Sequence, residues 1–145
     1  MNVRLLLRIA AIISLLFAAG HMIGGLQEWS PMGQNAVLNS MATIRFETMG
    51  TKRSYLDFFM GFGWTIGICL LLQSAILWQM SSLAGSDARR VRPMIAVFVI
   101  ATAASGAIAW RFILPVPALF SGALVIVLAA AYIAAHRNSL DVGSQ

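Results

Sequence analysis

The sequence predicts an all-α membrane protein with four transmembrane helices in an antiparallel bundle. Of its 145 residues, 59% are hydrophobic and 10% are charged, whereas an ordinary soluble domain carries about 25% charged residues. The mean hydropathy is +0.82. A water-soluble fold of this length cannot bury so much apolar surface. Four apolar runs of roughly 20 residues, the length of helix that crosses the hydrocarbon core, account for the excess.

We place the spans at about residues 5–25, 56–80, 94–113 and 118–135, within a single membrane domain that covers residues 1–145. The first run also resembles a signal peptide, because basic residues precede it and small residues follow at Ala18, Ala19 and Gly20. The apolar run continues beyond these small residues to Ile23. We therefore expect a retained helix.

The connections between the spans differ in length and composition. The polar segment 27–55 repeats Val37, Leu38, Met41 and Ile44 near helical spacing, which predicts a short amphipathic helix at the membrane interface. A segment of this length is also typical of a functional lid or of disorder. Pro93 suits the first turn of the third helix, and residues 114–117 predict a tight reversal before the fourth.

The distribution of basic residues predicts the orientation. The amino terminus, the second loop and the tail carry six basic residues and the opposite side carries four. By the positive-inside rule we expect both termini in the cytoplasm of a bacterial inner-membrane protein. The six are Arg4, Arg8, Arg89, Arg90, Arg92 and Arg137, and the four are Arg45, Lys52, Arg53 and Arg111.

Small residues recur at helical spacing in the first two spans. Gly20 and Gly24, like Gly63 and Gly67, form small-x-x-x-small pairs that allow helices to approach closely. We expect these pairs to pack helices within one chain, with contact between two copies as the alternative.

Three ionisable residues lie near the same ends of three spans: His21, Asp57 and Arg111. Antiparallel connectivity predicts one shared membrane depth, where a charge is costly and therefore suggests function. We predict that His21 and Asp57 carry protons, as catalytic residues, while Arg111 holds Asp57 ionised. The alternative is a structural ion pair or membrane anchor. The predicted ligand-binding residues are Glu47, Tyr55, Trp64, Trp110 and Arg111.

Several chemistries find no support in the sequence. It contains no H-E-x-x-H, no glycine-rich phosphate loop with lysine, no G-x-S-x-G and no zinc-ligand cluster. The lone Cys69 excludes an intrachain disulfide. The net charge of +5 is scattered over the span ends and forms no stripe, so we expect no nucleic-acid partner. We also expect no metal and no cofactor.

The segments 46–64 and 70–79 resemble a group of uncharacterised small bacterial four-span integral membrane proteins. The shared run reads Met-Gly-x-x-Arg-Ser-Tyr-x-Asp-Phe-x-x-Gly-Phe-Gly, from Met49 to Gly63, and a His near the end of the first span precedes it. The resemblance implies the four-span fold and carries no activity.

The expected function is binding of a lipid-like or hydrophobic ligand in a polar pocket open at the outer leaflet, with or without acid/base chemistry. A second hypothesis is an oligomeric small transporter or channel, whose path contains Gln73 and Ser74. A third is a structural subunit of a membrane complex. The expected partners are membrane lipids, a hydrophobic small molecule and further copies of the chain.

Overall fold

The computed structural model describes residues 2–141, with side chains described as far as residue 137. It confirms the all-α architecture with four long helices, and it places a short helix in the first loop. The helices are α1 (Val3–Gly25), α2 (Ala36–Thr43), α3 (Tyr55–Leu83), α4 (Ala88–Phe112) and α5 (Pro115–Asp141). Two short strands, β1 (Arg45–Thr48) and β2 (Thr51–Ser54), lie between α2 and α3.

The four long helices are long and apolar enough to cross a membrane, as expected of a multi-pass membrane protein. Each begins before its predicted span, and α3 and α5 also end beyond theirs, whereas α1 ends at the predicted residue and α4 ends one residue short. Because α4 begins at Ala88, Pro93 lies inside the helix, and the prediction that it occupies the first turn is wrong. Helix α4 begins at Ala88 because the Asp87 side chain accepts a hydrogen bond from Arg89 N (3.0 Å) and caps the first turn. Helix α5 begins at Pro115, whose fixed φ suits a first helical position. The reversal predicted for residues 114–117 is therefore shorter than expected.

The antiparallel hairpin β1–β2 was not predicted. Its register pairs Arg45 with Ser54 and Thr48 with Thr51, which leaves a two-residue turn at Met49 and Gly50. Both turn residues have positive φ, 50° and 71°. Positive φ at both positions defines the type I′ turn, whose twist matches that of the strands it joins.

The chain divides into two compact units. The first comprises the described parts of Met1–Phe17 and Leu71–Gln145, and so contains segments of all four long helices. Its core is formed by fully buried side chains of α1, α3, α4 and α5. The largest are Leu7, Leu77, Met80, Ile95, Leu124 and Leu128. Within this unit the buried Ser74 donates its hydroxyl proton to Ala11 O at 2.8 Å, which links α3 to α1.

The second unit, Ala18–Leu70, contains the end of α1, the first loop, the hairpin and the first half of α3. Helix α2 is capped by Asn35, whose side-chain oxygen accepts from Val37 N (2.9 Å) and Leu38 N (3.1 Å). Leu38 is buried whereas Val37 and Ile44 are exposed. Val37 thus leaves an apolar side chain on the surface of α2, and the interfacial position of this helix stays a prediction.

Candidate functional site

The first turn of α3 fixes the position of Asp57. The Asp57 carboxylate accepts a hydrogen bond from Ser54 N at 2.8 Å, and the Ser54 hydroxyl accepts one from Asp57 N at 3.0 Å. This reciprocal pair is a capping box, which satisfies backbone N–H groups that the helix leaves unpaired. Asp57 therefore has a structural role in starting α3.

His21 contacts a different residue of α3, Gly63, which lies about one and a half turns beyond Asp57. Its Nε2 lies 2.8 Å from Gly63 O, and because a carbonyl only accepts, Nε2 carries the donated proton. Nδ1 is then the nitrogen left for other contacts. Gly63 follows Asp57 by six residues, or about 9 Å of helix. The structure thus gives His21 and Asp57 separate partners at different levels of α3.

Trp29 is the centre of the aromatic cluster in this unit. Its Nε1 donates to His21 O at 2.9 Å. Its ring meets the ring of Trp64 edge-on with centroids 5.3 Å apart, and that of Phe59 at 6.4 Å. The His21 ring lies 5.1 Å away. The contacts with Trp64 and Phe59 join the loop that follows α1 to α3. The contacts with His21 join the same loop to α1.

Glycines make the room for the Trp29 indole. A Cβ added to Gly63 would lie 2.5 Å from Cη2 and 2.6 Å from Cε3 of Trp29. A Cβ on Gly25 would lie 2.7 Å from Cζ2 of the same ring. Of the glycines predicted to pack helices in small-x-x-x-small pairs, Gly24 and Gly63 contact the Trp29 ring. A Cβ on Gly67 would meet Met22 and His21 of α1, as expected for packing of α3 on α1, whereas one on Gly20 would meet nothing within 4 Å.

The backbone that brings Trp29 to this seat is strained. Glu28 and Trp29 have φ of 55° and 47°, in the left-handed region that non-glycine residues adopt at a cost of about 1 to 2 kcal/mol each. Trp29 N donates to Gly24 O at 3.0 Å, so the chain folds back on the end of α1. Such strain persists only where surrounding contacts offset it, and the contacts of the indole do so here.

Glu47 lies in strand β1 of the hairpin, and Tyr55 follows the hairpin as the first residue of α3. The Tyr55 ring packs on Phe46 of β1, with centroids 5.1 Å apart. Glu47 is exposed and lies opposite Lys52 in the strand register. Opposite charges in this position contribute to pairing of the strands.

A shallow groove of about 300 Å³ runs along the first turns of α3. Its polar end is formed by Arg53 and Asp57, and its remaining length by the aromatic rings of Phe58 and Phe62, which meet edge-on with centroids 4.8 Å apart. Gly61 forms an open floor, since a Cβ added there would meet nothing within 4 Å. Thr65 closes the lower end. The groove therefore offers a charged end and an apolar length to one elongated molecule.

Trp110 and Arg111 belong to the other unit, at the end of α4. Both side chains are exposed, and the Arg111 guanidinium lies over the Phe112 ring at 5.1 Å from its centroid. The predicted layer of His21, Asp57 and Arg111 spans the two units and stays a prediction.

The structure brings some of the predicted site residues together and adds others. His21 and Trp64 meet around Trp29, and Asp57 lines the groove. Trp29 and Arg53 were missed as site residues. The box Ser54-x-x-Asp57 was readable from the sequence as a helix start. The seat of Trp29 had no such pattern, because it depends on a loop conformation and on glycines of two helices.

Within the side chains that the structure describes, no group of three or more His, Cys, Asp or Glu is placed to hold a metal ion. No protein-family model, curated protein or solved structure matches the chain.

Proposed function

We propose that this chain is a small inner-membrane protein, with both termini cytoplasmic, that binds one lipid-like amphiphile in the α3 groove at the outer leaflet. The carrying observation is the polarity of the groove, with Arg53 and Asp57 at one end and Phe58, Gly61 and Phe62 along its length. An amphiphile has the same division into a polar head and an apolar chain.

The position of the groove on its helix supports this ligand class. Asp57 lies in the first turn of a 29-residue apolar helix, where a membrane span meets the lipid headgroups. From Asp57 to Thr65 the groove follows eight residues of α3, or about 12 Å of rise. A headgroup at Arg53 would thus place an acyl chain along the helix, in the direction that neighbouring lipids take.

The charges at the polar end favour a phosphate-bearing head. Arg53 is exposed and donates one N–H to Lys52 O at 3.0 Å, which leaves most of its donors for a ligand. Arg45 and Lys52 lie on the same hairpin. Cations near a membrane surface attract anionic groups. Because Asp57 is already held by Ser54, its carboxylate reaches the groove in a fixed position.

The same contacts favour binding over proton transfer. Asp57 caps a helix and the Nε2 proton of His21 is donated to Gly63 O. Acid/base chemistry by this pair would require both residues to exchange these partners for a ligand. The proposal is therefore a binding site, with Arg53 and the aromatic wall as its principal contacts.

Filling the groove tests the proposal. Gly61→Leu introduces a side chain into the open floor, and Gly122→Leu is the matched control, because Gly122 is also open and lies a similar distance into α5. The protein is extracted gently and its bound lipids are measured by native mass spectrometry. We expect Gly61→Leu to lose a lipid that the wild type and Gly122→Leu retain. Equal retention by all three would exclude this groove.

A second pair of variants separates capping from ligand contact at Asp57. Ser54→Ala removes the hydroxyl that accepts from Asp57 N but keeps the carboxylate and its bond from the backbone N–H of residue 54, whereas Asp57→Asn removes the charge. If Asp57 contacts an ammonium group beside the phosphate of the head, Asp57→Asn lowers lipid retention more than Ser54→Ala at matched folded fractions. If the two variants retain lipid equally, Asp57 only caps α3, and Arg53 is the residue that binds the headgroup.

A further inference from the structure

The other unit contains a second groove, formed by α4 and α5. It has a volume of about 280 Å³ and an apolar lining of Ala96, Val99, Ile100, Ala129, Tyr132 and Ile133. Arg92 lies one turn before Ala96 on α4, and it reaches Tyr132 on α5, so a cation stands at one end of the groove. The α3 groove and its residues take no part in this arrangement.

Arg92 is held in place by two contacts with one side chain. Its Nη2 donates to the Tyr132 hydroxyl oxygen at 3.0 Å, and its guanidinium lies over the Tyr132 ring at 4.9 Å from the centroid. Arg92 is half-buried. A guanidinium has five N–H donors, and a phenol that accepts a hydrogen bond still has its own proton to donate. The pair therefore presents several donors in a fixed geometry at the end of an apolar groove.

Further cations surround this end of the unit. Arg4 of α1 contacts Gly85 in the turn between α3 and α4, and the Arg8 guanidinium lies over the Trp78 ring at 5.4 Å. Asp87, the acid of this unit with a described side chain, is paired with Arg90 at 3.0 Å. The region is therefore complementary to an anion.

We propose that the α4–α5 groove binds a phospholipid with a net anionic headgroup, whose phosphate meets Arg92 and Tyr132 and whose acyl chain lies along the apolar lining. Arginine suits this role because its planar fork donates two parallel hydrogen bonds to a phosphate. From Arg92, past the apolar lining residues Ala96 and Val99, to Ile100, the proposed site follows eight residues of α4, or about 12 Å of helix. A free anion would use Arg92 but not the lining.

The wild-type protein provides the first test. Delipidated protein in detergent is titrated separately with phosphatidylglycerol, with phosphatidylcholine and with inorganic phosphate, and binding is followed by native mass spectrometry. We expect one phosphatidylglycerol per chain to bind at least about fivefold more tightly than phosphatidylcholine, as one cation near a membrane surface provides. Equal affinity for the two lipids would overturn the proposal. Inorganic phosphate that displaces phosphatidylglycerol would likewise overturn it.

Two variants locate the binding. Arg92→Gln removes the headgroup contact, and Arg90→Gln is the charge-matched control, because Arg90 lies on the same helix end and is 85% exposed. Ala129→Phe fills the groove, and Ala123→Phe places the same ring on an exposed position of α5 outside it. We expect only Arg92→Gln and Ala129→Phe to lose the preference for phosphatidylglycerol. An unchanged preference in both would overturn the site.

Tyr132→Phe provides a milder variant should Arg92→Gln not fold. It keeps the ring beneath the guanidinium and removes the hydroxyl that orients it. We expect the affinity for phosphatidylglycerol to fall while that for diacylglycerol, which has the acyl chains but no phosphate, is unchanged. A parallel fall in both would place the effect on packing and contradict the headgroup contact. Gly61→Leu changes a residue of the other unit. It therefore tests the α3 groove independently of the α4–α5 groove, and either proposal can be refuted without the other.

Discussion

Replacing Gly63 by alanine should remove the Trp29 indole from its seat. A Cβ at this position would lie 2.5 Å from Cη2 and 2.6 Å from Cε3 of the ring, closer than side-chain atoms pack. The neighbour is a rigid aromatic ring held by its own contacts, so it cannot yield as a flexible chain would. The added methyl group therefore overpacks the site.

The contacts of Trp29 give the size of the effect. Displacement breaks the hydrogen bond from Nε1 to His21 O at 2.9 Å, which contributes about 1 kcal/mol. It also separates the edge-on rings of Trp64 and Phe59, which contribute about 1 kcal/mol each. Release of the left-handed backbone at Trp29 offsets about 1 to 2 kcal/mol, whereas Glu28 keeps its conformation because its N–H donates to Gly25 O at 3.0 Å. Because alanine improves helix propensity equally at Gly61 and Gly63, the unfolding free energy of Gly63→Ala should be about 1 to 2 kcal/mol below that of Gly61→Ala.

The assay is reversible unfolding in mixed micelles of mild detergent and dodecyl sulfate, with tryptophan fluorescence as one probe and circular dichroism as the other. Gly61→Ala is the matched control, since it lies two residues earlier on the same helix and has no atom within 4 Å of an added Cβ. Its unfolding free energy should be unchanged or higher by up to about 1 kcal/mol, because alanine is the better helix former.

A double-mutant cycle shows whether the loss acts through the indole. In a Trp29→Ala background the seat is empty, so Gly63→Ala should cause no further loss. Two results would refute the reasoning: equal stabilities for Gly63→Ala and Gly61→Ala, or additive losses from Trp29→Ala and Gly63→Ala. Either would mean that the ring does not occupy this position.

Three further predictions concern single positions. Met49→Asn should stabilise the protein by about 1 kcal/mol, because Met49 is 99% exposed and has φ of 50°, and asparagine tolerates that conformation. Met32→Asn is the control, since Met32 is also exposed and has no positive φ. Ser74→Ala should cost about 1 kcal/mol by removing the 2.8 Å hydrogen bond to Ala11 O. The buried Thr102 hydroxyl has no hydrogen-bond partner among the described residues, so Thr102→Val should raise the unfolding free energy by about 1 kcal/mol. The same micelle titration measures all three, and a change of opposite sign contradicts the prediction concerned.

The long helices could be predicted because each is determined by a continuous stretch of its own sequence. A run of about 20 apolar residues has one stable arrangement in lipid, where every backbone group must find a partner within its own segment. The exact ends could not be predicted as well. Asp87 caps α4 so that the helix begins at Ala88, six residues ahead of the predicted span at residue 94, because a cap depends on one side-chain hydrogen bond rather than on hydropathy.

The hairpin and the aromatic cluster could not be predicted, for a different reason. The strand segments are polar and four residues long, so they lack the alternation that marks a half-buried strand. Their turn places a methionine, not an asparagine, at the first left-handed position. The seat of Trp29 joins residues 34 positions apart, Trp29 and Gly63. Such long-range contacts leave no periodic trace.

The polar residues that first suggest a site are those that the fold itself uses. Asp57 caps α3 and His21 donates to Gly63 O. A ligand would have to compete with these contacts, which the chain makes without losing translational freedom. Arg53, at the polar end of the groove, donates only one hydrogen bond to a backbone carbonyl, so its other N–H groups remain for a ligand. Recognition of a ligand should therefore depend more on Arg53 than on either residue, so Arg53→Gln should lower lipid retention more than His21→Gln. If native mass spectrometry instead shows a larger loss of lipid from His21→Gln than from Arg53→Gln, His21 is the more important ligand contact.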